Sequence, residues 1–241
     1  MTCRKGWGAK YMQKLSTEIE ALYVGEIENR WPGRAPSAIG KKQVDGPLRI
    51  GFHGFELDKQ ADLKVHGGPD KAVHHYASDH YSFWQSKMPE HVLKFVSGGF
   101  GENIATFGVT ENDICIGDVF EVGSAVVQIS QGRQPCWKLN EHIGYKLMAS
   151  HFQKTGRTGW YYRVLEIGEI NAGDRLVLKE RPNPSWTLDK VIAARFNPKV
   201  PKKVAEELAE LPELANGWRK AFAKKLDKNF IESTDARLIG L

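Results

Sequence analysis

A single cysteine stands between two cations in the segment 130–140, SQGRQPCWKLN. Arg133 and Lys138 lie within three residues of Cys136, and positive charge near a thiol stabilises the thiolate. Because a thiolate is both a nucleophile and a ligand for soft metals, these residues favour covalent or metal chemistry at Cys136. Pro135 ends any ladder of backbone hydrogen bonds, which predicts a thiol in a loop at a strand end. A half-buried structural cysteine is the alternative interpretation.

The other two cysteines have different surroundings. Cys115 lies between two isoleucines, where a thiol behaves as a small hydrophobic side chain, and Cys3 lies in a basic N-terminal stretch. Three separated cysteines form no disulfide framework, which is typical of a reducing compartment and predicts a cytoplasmic protein. They are also too few for the four thiolates of a self-contained iron–sulfur cluster.

Two glycine-containing turns could contribute to a binding site. The segment 66–71, HGGPDK, has paired glycines that let backbone amides approach a ligand, and lysines on both sides add positive charge. It predicts an anion cradle, with a plain turn between strands as the alternative. The segment 100–104, FGENI, places Glu102 and Asn103 in a second such turn.

Four histidines, His66, His74, His75 and His80, raise the question of a zinc site. Adjacent His74 and His75 are predicted to point to opposite faces of a strand. No cysteine or Glu-x-x-His partner accompanies the histidines, so a zinc site made by protein side chains alone is not favoured.

Composition and missing motifs narrow the classes of partner. The formal net charge of +5 over 241 residues fits an anionic small ligand such as a phosphorylated cofactor. Basic residues form no aromatic-interleaved stripe, so we expect no nucleic-acid partner beyond base-like small molecules. Apolar runs fall short of the roughly 20 residues that cross a bilayer, and the first twenty residues lack the apolar core of a secretory signal. The P-loop, the dinucleotide-binding glycine motif and the GxSxG elbow are absent from the sequence.

The elements that position Cys136 are predicted to be mainly strands. From 21 to 181, short apolar stretches alternate with Gly, Pro, Asn and Asp, which predicts a mainly β fold closing into a barrel with peripheral helices. The clearest strands are expected between 114 and 130, over 160–166 and over 175–179. Helices are expected to start near Ser78 and to run from about 142 to 154.

The character of the sequence changes after the proline-rich segment 181–184. Thr187 can cap a first helix, and helical patterns follow over 204–211 and 218–226. The sequence therefore predicts a flexible extension over 1–20, a β domain over 21–181 and a three-helix domain over 185–241. The last is marginal alone and is expected to dock on the barrel.

Five segments together resemble one known family. They are PSAIGKKQVDGPL (36–48), HGGPDKA (66–72), FGENI (100–104), SQGRQPCWKLN (130–140) and KTGRTGWYYRV (154–164). In this order they resemble the MOSC domain (the molybdenum cofactor sulfurase C-terminal domain), specifically its YiiM-type subfamily, over residues 21–181. The helical tail resembles the three-α domain that often follows it. One departure is Leu57, which precedes Asp58 where such proteins often carry glycine, and it affects the shape of that loop.

The resemblance implies a β-barrel-like domain that binds the molybdenum cofactor, molybdopterin. It implies that Cys136 is the catalytic residue and the molybdenum ligand. The implied cofactor contacts are His66, Gly67, Asn103, Arg133, Lys138 and Asn140. Family-level functions that accompany the resemblance are molybdenum ion binding and pyridoxal phosphate binding.

The activity that the resemblance implies is reduction of small N-hydroxylated compounds, such as hydroxylaminopurines, to amines, which is a detoxifying reaction. The sequence lacks flavin and haem motifs, so we expect a partner reductase to supply electrons, with Glu102 or a bound water supplying protons. An alternative is a sulfur carrier that holds a persulfide on Cys136 for metal–sulfur cluster assembly. A binding module with an empty pocket is a third interpretation.

Overall fold

The computed structural model describes residues 15–62 and 67–240. Eleven strands lie within these ranges: β1 (Ser16–Val24), β2 (Lys42–Val44), β3 (Leu48–Gly51), β4 (Gly54–Phe55), β5 (Val73–Ala77), β6 (Ile104–Thr106), β7 (Val119–Val122), β8 (Ala125–Gly132), β9 (Trp160–Glu166), β10 (Gly168–Ile170) and β11 (Arg175–Glu180). Because β1 begins at Ser16, residues 16–20 belong to the sheet, and the extension predicted over 1–20 is wrong for this part. Residues 1–14, with Cys3, lie outside the described residues.

Seven strands close into a barrel, which confirms the predicted architecture. Their order is β1-β11-β7-β8-β9-β5-β6, and β6 pairs again with β1, so the ring has no unpaired edge. Every neighbouring pair is antiparallel except β5 and β6, which run parallel. Strand β2 extends the sheet beyond β1, while β10, β3 and β4 form a separate three-stranded sheet.

The barrel interior follows the two-residue period of its strands. In β8, Ala125, Val127 and Ile129 are buried, whereas Val126 and Gln128 between them are partly exposed. Successive side chains of a strand point to opposite faces, so this alternation fills the inside of the barrel with β-branched and aliphatic groups. This packed interior is what holds the ends of the strands, and therefore the loops that follow them, in place.

Seven α-helices lie in the described residues: α1 (Asp79–Lys87), α2 (Trp137–Ile143), α3 (Met148–Thr155), α4 (Leu188–Phe196), α5 (Lys202–Glu210), α6 (Asn216–Lys224) and α7 (Asp235–Leu238). Short 3-10 helices span Pro69–Lys71 and Pro89–Lys94. None of the helices in these ranges combines the length and apolar character that a bilayer crossing needs.

Two helix predictions fare differently. Helix α1 begins directly after Ser78, as the sequence predicted. The helix predicted over about 142–154 is confirmed in its second half by α3, which ends before Gly156, but residues 144–147 are not helical and separate α3 from α2. Helix α2 ends at Gly144, which adopts the left-handed conformation at φ 83° and turns the chain before the second helix begins.

The helical tail packs against the barrel, as predicted. Helix α4 follows Thr187 directly, and its Leu188, Val191 and Ile192 belong to the same buried cluster as the barrel strands. The backbone N–H of Ala215 also donates to the carbonyl of Ser130, next to the end of β8. The tail therefore shares a core with the barrel instead of hanging from it by a linker.

Buried His75 predicts a pH dependence of folding. Its ring nitrogens lie 3.0 Å from the Tyr162 hydroxyl and 2.8 Å from Thr106 Oγ1. Burial lowers the pKa of His75 from 6.5 to about 3. Between these two pH values the unfolded chain binds a proton at His75 and the folded chain does not. The stability that the neutral, buried ring contributes is therefore fully present above the unfolded pKa and is lost as pH falls towards the folded pKa.

We expect His75→Gln to reduce the pH dependence of the free energy of unfolding by about 1.4 kcal/mol per pH unit. Denaturant titrations between about pH 6 and pH 4 measure it, because the unfolded imidazole is mostly protonated only below its ordinary pKa. Burial raises the pKa of the Glu102 carboxyl, so Glu102 makes the free energy of unfolding fall as pH rises, in wild type and in His75→Gln alike. Only the difference in slope between these two proteins therefore reports on His75. His53→Gln changes an exposed histidine and is the matched control. Equal slopes for wild type and His75→Gln would contradict the prediction.

Candidate functional site

Cys136 lies between the end of β8 at Gly132 and the start of α2, so its predicted position at a strand end is confirmed. It is the N-cap residue of α2, with an extended backbone at φ −136°, and its side chain is half-buried. Helix α2 starts immediately after Cys136, at Trp137, and continues to Ile143. Cys136 is thus held between two regular elements.

Two cavities meet at Cys136. The first, called the inner chamber, has a volume of about 100 Å³, and the second, the outer chamber, about 520 Å³. The residues common to both are Ala61, Asp62, Lys71, Cys136, Lys138 and Tyr161. Cys136 therefore borders a small space that charged side chains line and a second, ligand-sized space.

A buried ion pair forms one wall of the inner chamber. Lys41 Nζ lies 2.5 Å from Asp58 Oδ1, and the two side chains are 8% and 4% exposed. Asp58 also accepts from the backbone N–H of Gly25 at 2.7 Å and from Asn103 Nδ2 at 2.9 Å. Burial lowers the pKa of Lys41, and the neighbouring Asp58 opposes that shift. Asn103 reaches the chamber as predicted and links the ion pair to the barrel backbone at Tyr23.

Arg133 and Lys138, which precede and follow Cys136 in the sequence, both line the inner chamber with it. Arg133 NH1 donates to the carbonyl of Phe100 at 2.6 Å, and Lys138 Nζ donates to the carbonyl of Pro36 at 3.0 Å. Both side chains are buried, so each cation is desolvated and held by a carbonyl. Neither forms an ion pair among the residues that the structure describes, which leaves their charge uncompensated at close range.

His74 and Tyr161 contribute neutral groups to the same chamber. Their rings lie 5.1 Å apart between centroids. Burial, with the Arg133 charge second, holds the pKa of His74 well below 6.5, and burial raises the pKa of Tyr161. Both rings are therefore uncharged near neutral pH. His74 and His75 lie on opposite faces of β5, as predicted, with His75 directed at Tyr162.

Positive charge dominates the two chambers. Among the described residues that line them, the cations are Lys41, Lys71, Arg133, Lys138 and Arg237, and the carboxylates are Asp58 and Asp62. Burial lowers the pKa of Lys71, against the opposing effect of Asp70. An excess of desolvated cations suits an anionic ligand, such as a phosphate group, better than a neutral one.

Other predicted site residues are placed differently. Asn140 does not line either chamber, because its Nδ2 donates to the carbonyl of Leu238 and its Oδ1 accepts from the N–H of Ala149. The structure therefore does not support its predicted cofactor contact. Gly67 comes just before the 3-10 turn that carries Lys71 and is not a chamber residue. His66 lies outside the described residues.

Glu102 is not the proton source that the sequence suggested. Its carboxylate is fully buried and accepts from the Tyr81 hydroxyl and from the N–H groups of Gly98 and Phe100. It is absent from the lining of both chambers. The carboxylate holds the 98–102 turn together, which positions Asn103, and it does not reach the chambers that Cys136 lines.

Cys115 behaves as the sequence predicted. It is fully buried, and burial, followed by the nearby Asp118 charge, raises the pKa of its thiol to about 11. A thiol with this pKa is overwhelmingly protonated at neutral pH and reacts poorly. The two described cysteines thus differ in access.

Sequence reasoning missed several chamber residues. Ala236 and Arg237 carried no local signal, because they reach Cys136 only through folding. Lys41 and Tyr161 lie in the segments 36–48 and 154–164 that resemble the family, which was the available signal for them.

The chain matches two families. Residues 62–177 match the MOSC domain, and residues 186–229 match the YiiM-like, 3-alpha helix domain. These two segments fall within the predicted β domain and the predicted helical domain, respectively.

Relatives cover most of the chain. Protein YiiM from Escherichia coli (strain K12) is 38% identical over 219 residues, which are 91% of this chain and 97% of that protein. The crystal structure of YiiM from Escherichia coli shows a TM-score of 0.79 at 31% identity, covering 93% of this chain and 98% of that chain. A protein of Gibberella moniliformis named Reductase is 37% identical over 184 residues, which are 75% of this chain but 32% of that protein. Most of the fungal protein therefore lies outside the match.

Proposed function

The chain belongs to the MOSC-domain family and carries the YiiM-like three-helix domain, and from this premise we propose that it is a molybdenum-cofactor-binding oxidoreductase that reduces N-hydroxylated compounds to amines. The observation that carries the proposal is the position of Cys136. Its half-buried thiol lies where a small cationic chamber meets a ligand-sized one. A fungal relative named Reductase supports an oxidoreductase over a passive binding module.

The donor set of the site fits the cofactor. A cysteine thiolate is a soft ligand that suits molybdenum, and the cationic lining suits the phosphate of a pterin. Cys136 would hold the metal, while Arg133 and Lys138 would hold the anionic part of the cofactor. When bound, molybdenum supplies a centre that changes its oxidation state by two electrons, which matches the demand of the reaction.

The overall reaction consumes two electrons and two protons for each substrate. The N–O bond breaks, the oxygen leaves as water, and R–NHOH becomes R–NH2. Lys41 and Lys71 are the proposed proton donors, because both line the inner chamber and burial lowers the pKa of each ammonium. A lowered pKa brings a lysine closer to the pH at which proton transfer is efficient. His74 is neutral and does not fill this role.

The electrons are proposed to come from a partner reductase. The sequence has too few cysteines for a self-contained iron–sulfur cluster and no flavin or haem motif.

The test is a comparison of protein purified from a host that makes the molybdenum cofactor with protein from a host that does not. We expect near-stoichiometric molybdenum and pterin only in the first preparation. With reduced viologen as an artificial electron donor, that preparation alone should convert hydroxylaminopurine to aminopurine.

Two results would overturn parts of the proposal. Turnover with NADH and no second protein would contradict the need for a partner reductase. Absence of molybdenum, together with one extra, reducible sulfur on Cys136 by intact mass, would contradict the reductase. That second result would favour the alternative function, a sulfur carrier that holds a persulfide on Cys136.

A further inference from the structure

The last described residues of the chain, Thr234–Gly240, lie beside Cys136 and are called the strap below. They include the short helix α7. The match to the three-helix domain ends at residue 229, so the strap follows that domain in the sequence. Ala236 and Arg237 line the outer chamber together with Cys136 and Trp137. The strap is thus a wall of the space that the thiol faces.

Side chains of the barrel domain hold the strap by its backbone. Asn140 Nδ2 donates to the carbonyl of Leu238 at 2.7 Å, and Arg34 NH1 donates to the carbonyl of Gly240 at 2.7 Å. Gly240 has φ 77°, and a Cβ atom there would come within 2.8 Å of Trp137 Cγ. The strap therefore packs directly against the aromatic residue that follows Cys136.

Arg237 makes the reverse contact, from the strap to the barrel. Its NH1 donates to the carbonyl of Pro135 at 2.6 Å, and its NH2 donates to Gln153 Oε1 at 2.6 Å. The Pro135 carbonyl belongs to the peptide directly before Cys136. Three side chains, two from the barrel domain and one from the strap, thus hold the strap beside Cys136.

We propose that the strap selects by size the molecules that reach Cys136 from the outer chamber. Ala236 is the specificity-determining wall residue, because its methyl group leaves room that a larger side chain would fill. Arg237 is a positioning residue that keeps this wall against the barrel. A chamber of about 520 Å³ is within the range of small-molecule sites, so the selection favours free small molecules over groups carried on a macromolecule. The inference rests on the proposed function only in taking Cys136 as the reacting centre.

The test measures alkylation of Cys136 in the full chain without bound molybdenum, so it needs no enzymatic activity. Iodoacetamide is the small reagent, and a maleimide carrying a poly(ethylene glycol) chain is the bulky one. Peptide mass spectrometry separates Cys136 from Cys3 and Cys115. The quantity compared is the ratio of the bulky-reagent rate to the iodoacetamide rate.

A chain that ends at Ser233 should raise this ratio about tenfold, because access to a thiol is limited by the wall that covers it. Arg237→Ala should raise it in the same direction, and Ala236→Phe should lower it about tenfold. Ile239→Ala, in the same strap, alters a side chain that is 52% exposed and should leave the ratio unchanged. An unchanged ratio in both the shortened chain and Ala236→Phe would overturn the proposal.

Labelling of Cys115 is the control for unfolding, which would expose Cys136 without any role of the strap. This thiol is fully buried in the folded protein, so its reaction reports unfolding. If the shortened chain exposes Cys115, the two point variants decide the matter. Because the assay uses no molybdenum and no substrate, its failure leaves the proposed reductase activity standing, and absence of that activity leaves this result standing.

Discussion

Cys136→Ser is expected to abolish viologen-driven reduction and the retention of molybdenum while leaving the fold intact. A serine hydroxyl is a hard oxygen donor and replaces the soft thiolate that suits molybdenum. Loss of a residue that supports a metal ligand typically costs about 10–100-fold, and loss of the ligand itself should exceed that range. The half-buried thiol packs little, so the free energy of unfolding should change by less than about 0.5 kcal/mol. Metal analysis, turnover and denaturant titration of one preparation measure all three.

Cys115→Ser is the matched control, because it makes the same atomic change at the other described cysteine. Cys115 Sγ lies 3.9 Å from the carbonyl oxygen of Pro184, which is too far for an O–H···O hydrogen bond. Burying a hydroxyl without a partner should cost about 1–3 kcal/mol of stability and leave molybdenum content unchanged. If Cys136→Ser kept full activity in cofactor-replete protein, the assignment of the reacting residue would be wrong.

Lys41→Met is expected to cost about 3–5 kcal/mol of stability, since it leaves the Asp58 carboxylate buried without its cation. The remaining partners of that carboxylate, the Gly25 N–H and the Asn103 amide, do not neutralise its charge. Denaturant titration gives the free energy of unfolding directly. Lys42→Met makes the same change at the adjacent, exposed lysine and should cost less than about 0.5 kcal/mol.

The double variant Lys41→Met/Asp58→Asn tests the reason for this loss. Removing both charges together should cost less than the sum of the two single changes, because neither charge is then left unpaired. Additive losses would show that packing, and not the charge pair, is what each substitution disrupts. The double variant also removes one proposed proton donor from the chamber, so its turnover should fall even where its stability is recovered.

The sequence predicted those strands and helices whose pattern of apolar and turn residues lies within one short segment. The strand Trp160–Glu166 was predicted with its observed bounds, because alternation and flanking turn residues are properties of a short segment. The barrel followed from many such strands, and the docking of the tail followed from its small size. The helix predicted over 142–154 was placed too early at its start, because Gly144 ends one helix in a left-handed turn that a pattern of apolar spacing does not reveal.

The site was predicted in outline and missed in its long-range contacts. Cys136, Arg133 and Lys138 could be found because they are neighbours in sequence, and Asn103 because it lies in a family segment. The pairing of Lys41 with Asp58 joins two segments that are separate in the chain, and no pattern in the sequence around either residue predicts it. Asn140 shows the opposite error, since a polar residue near the cysteine turned out to bind the backbone of the strap.

The pairing of β1 with β11 determines how late the barrel can close during synthesis and folding. Ser16 lies opposite Val177, so the first described strand must wait for β11, the last strand of the barrel, before the ring can close. During synthesis the ribosome releases that partner only after some 160 intervening residues have emerged, and contacts so distant in sequence slow folding. Cys136 therefore emerges before the barrel can close around it. Pulsed hydrogen exchange during refolding should find the amides of β1 among the last to become protected.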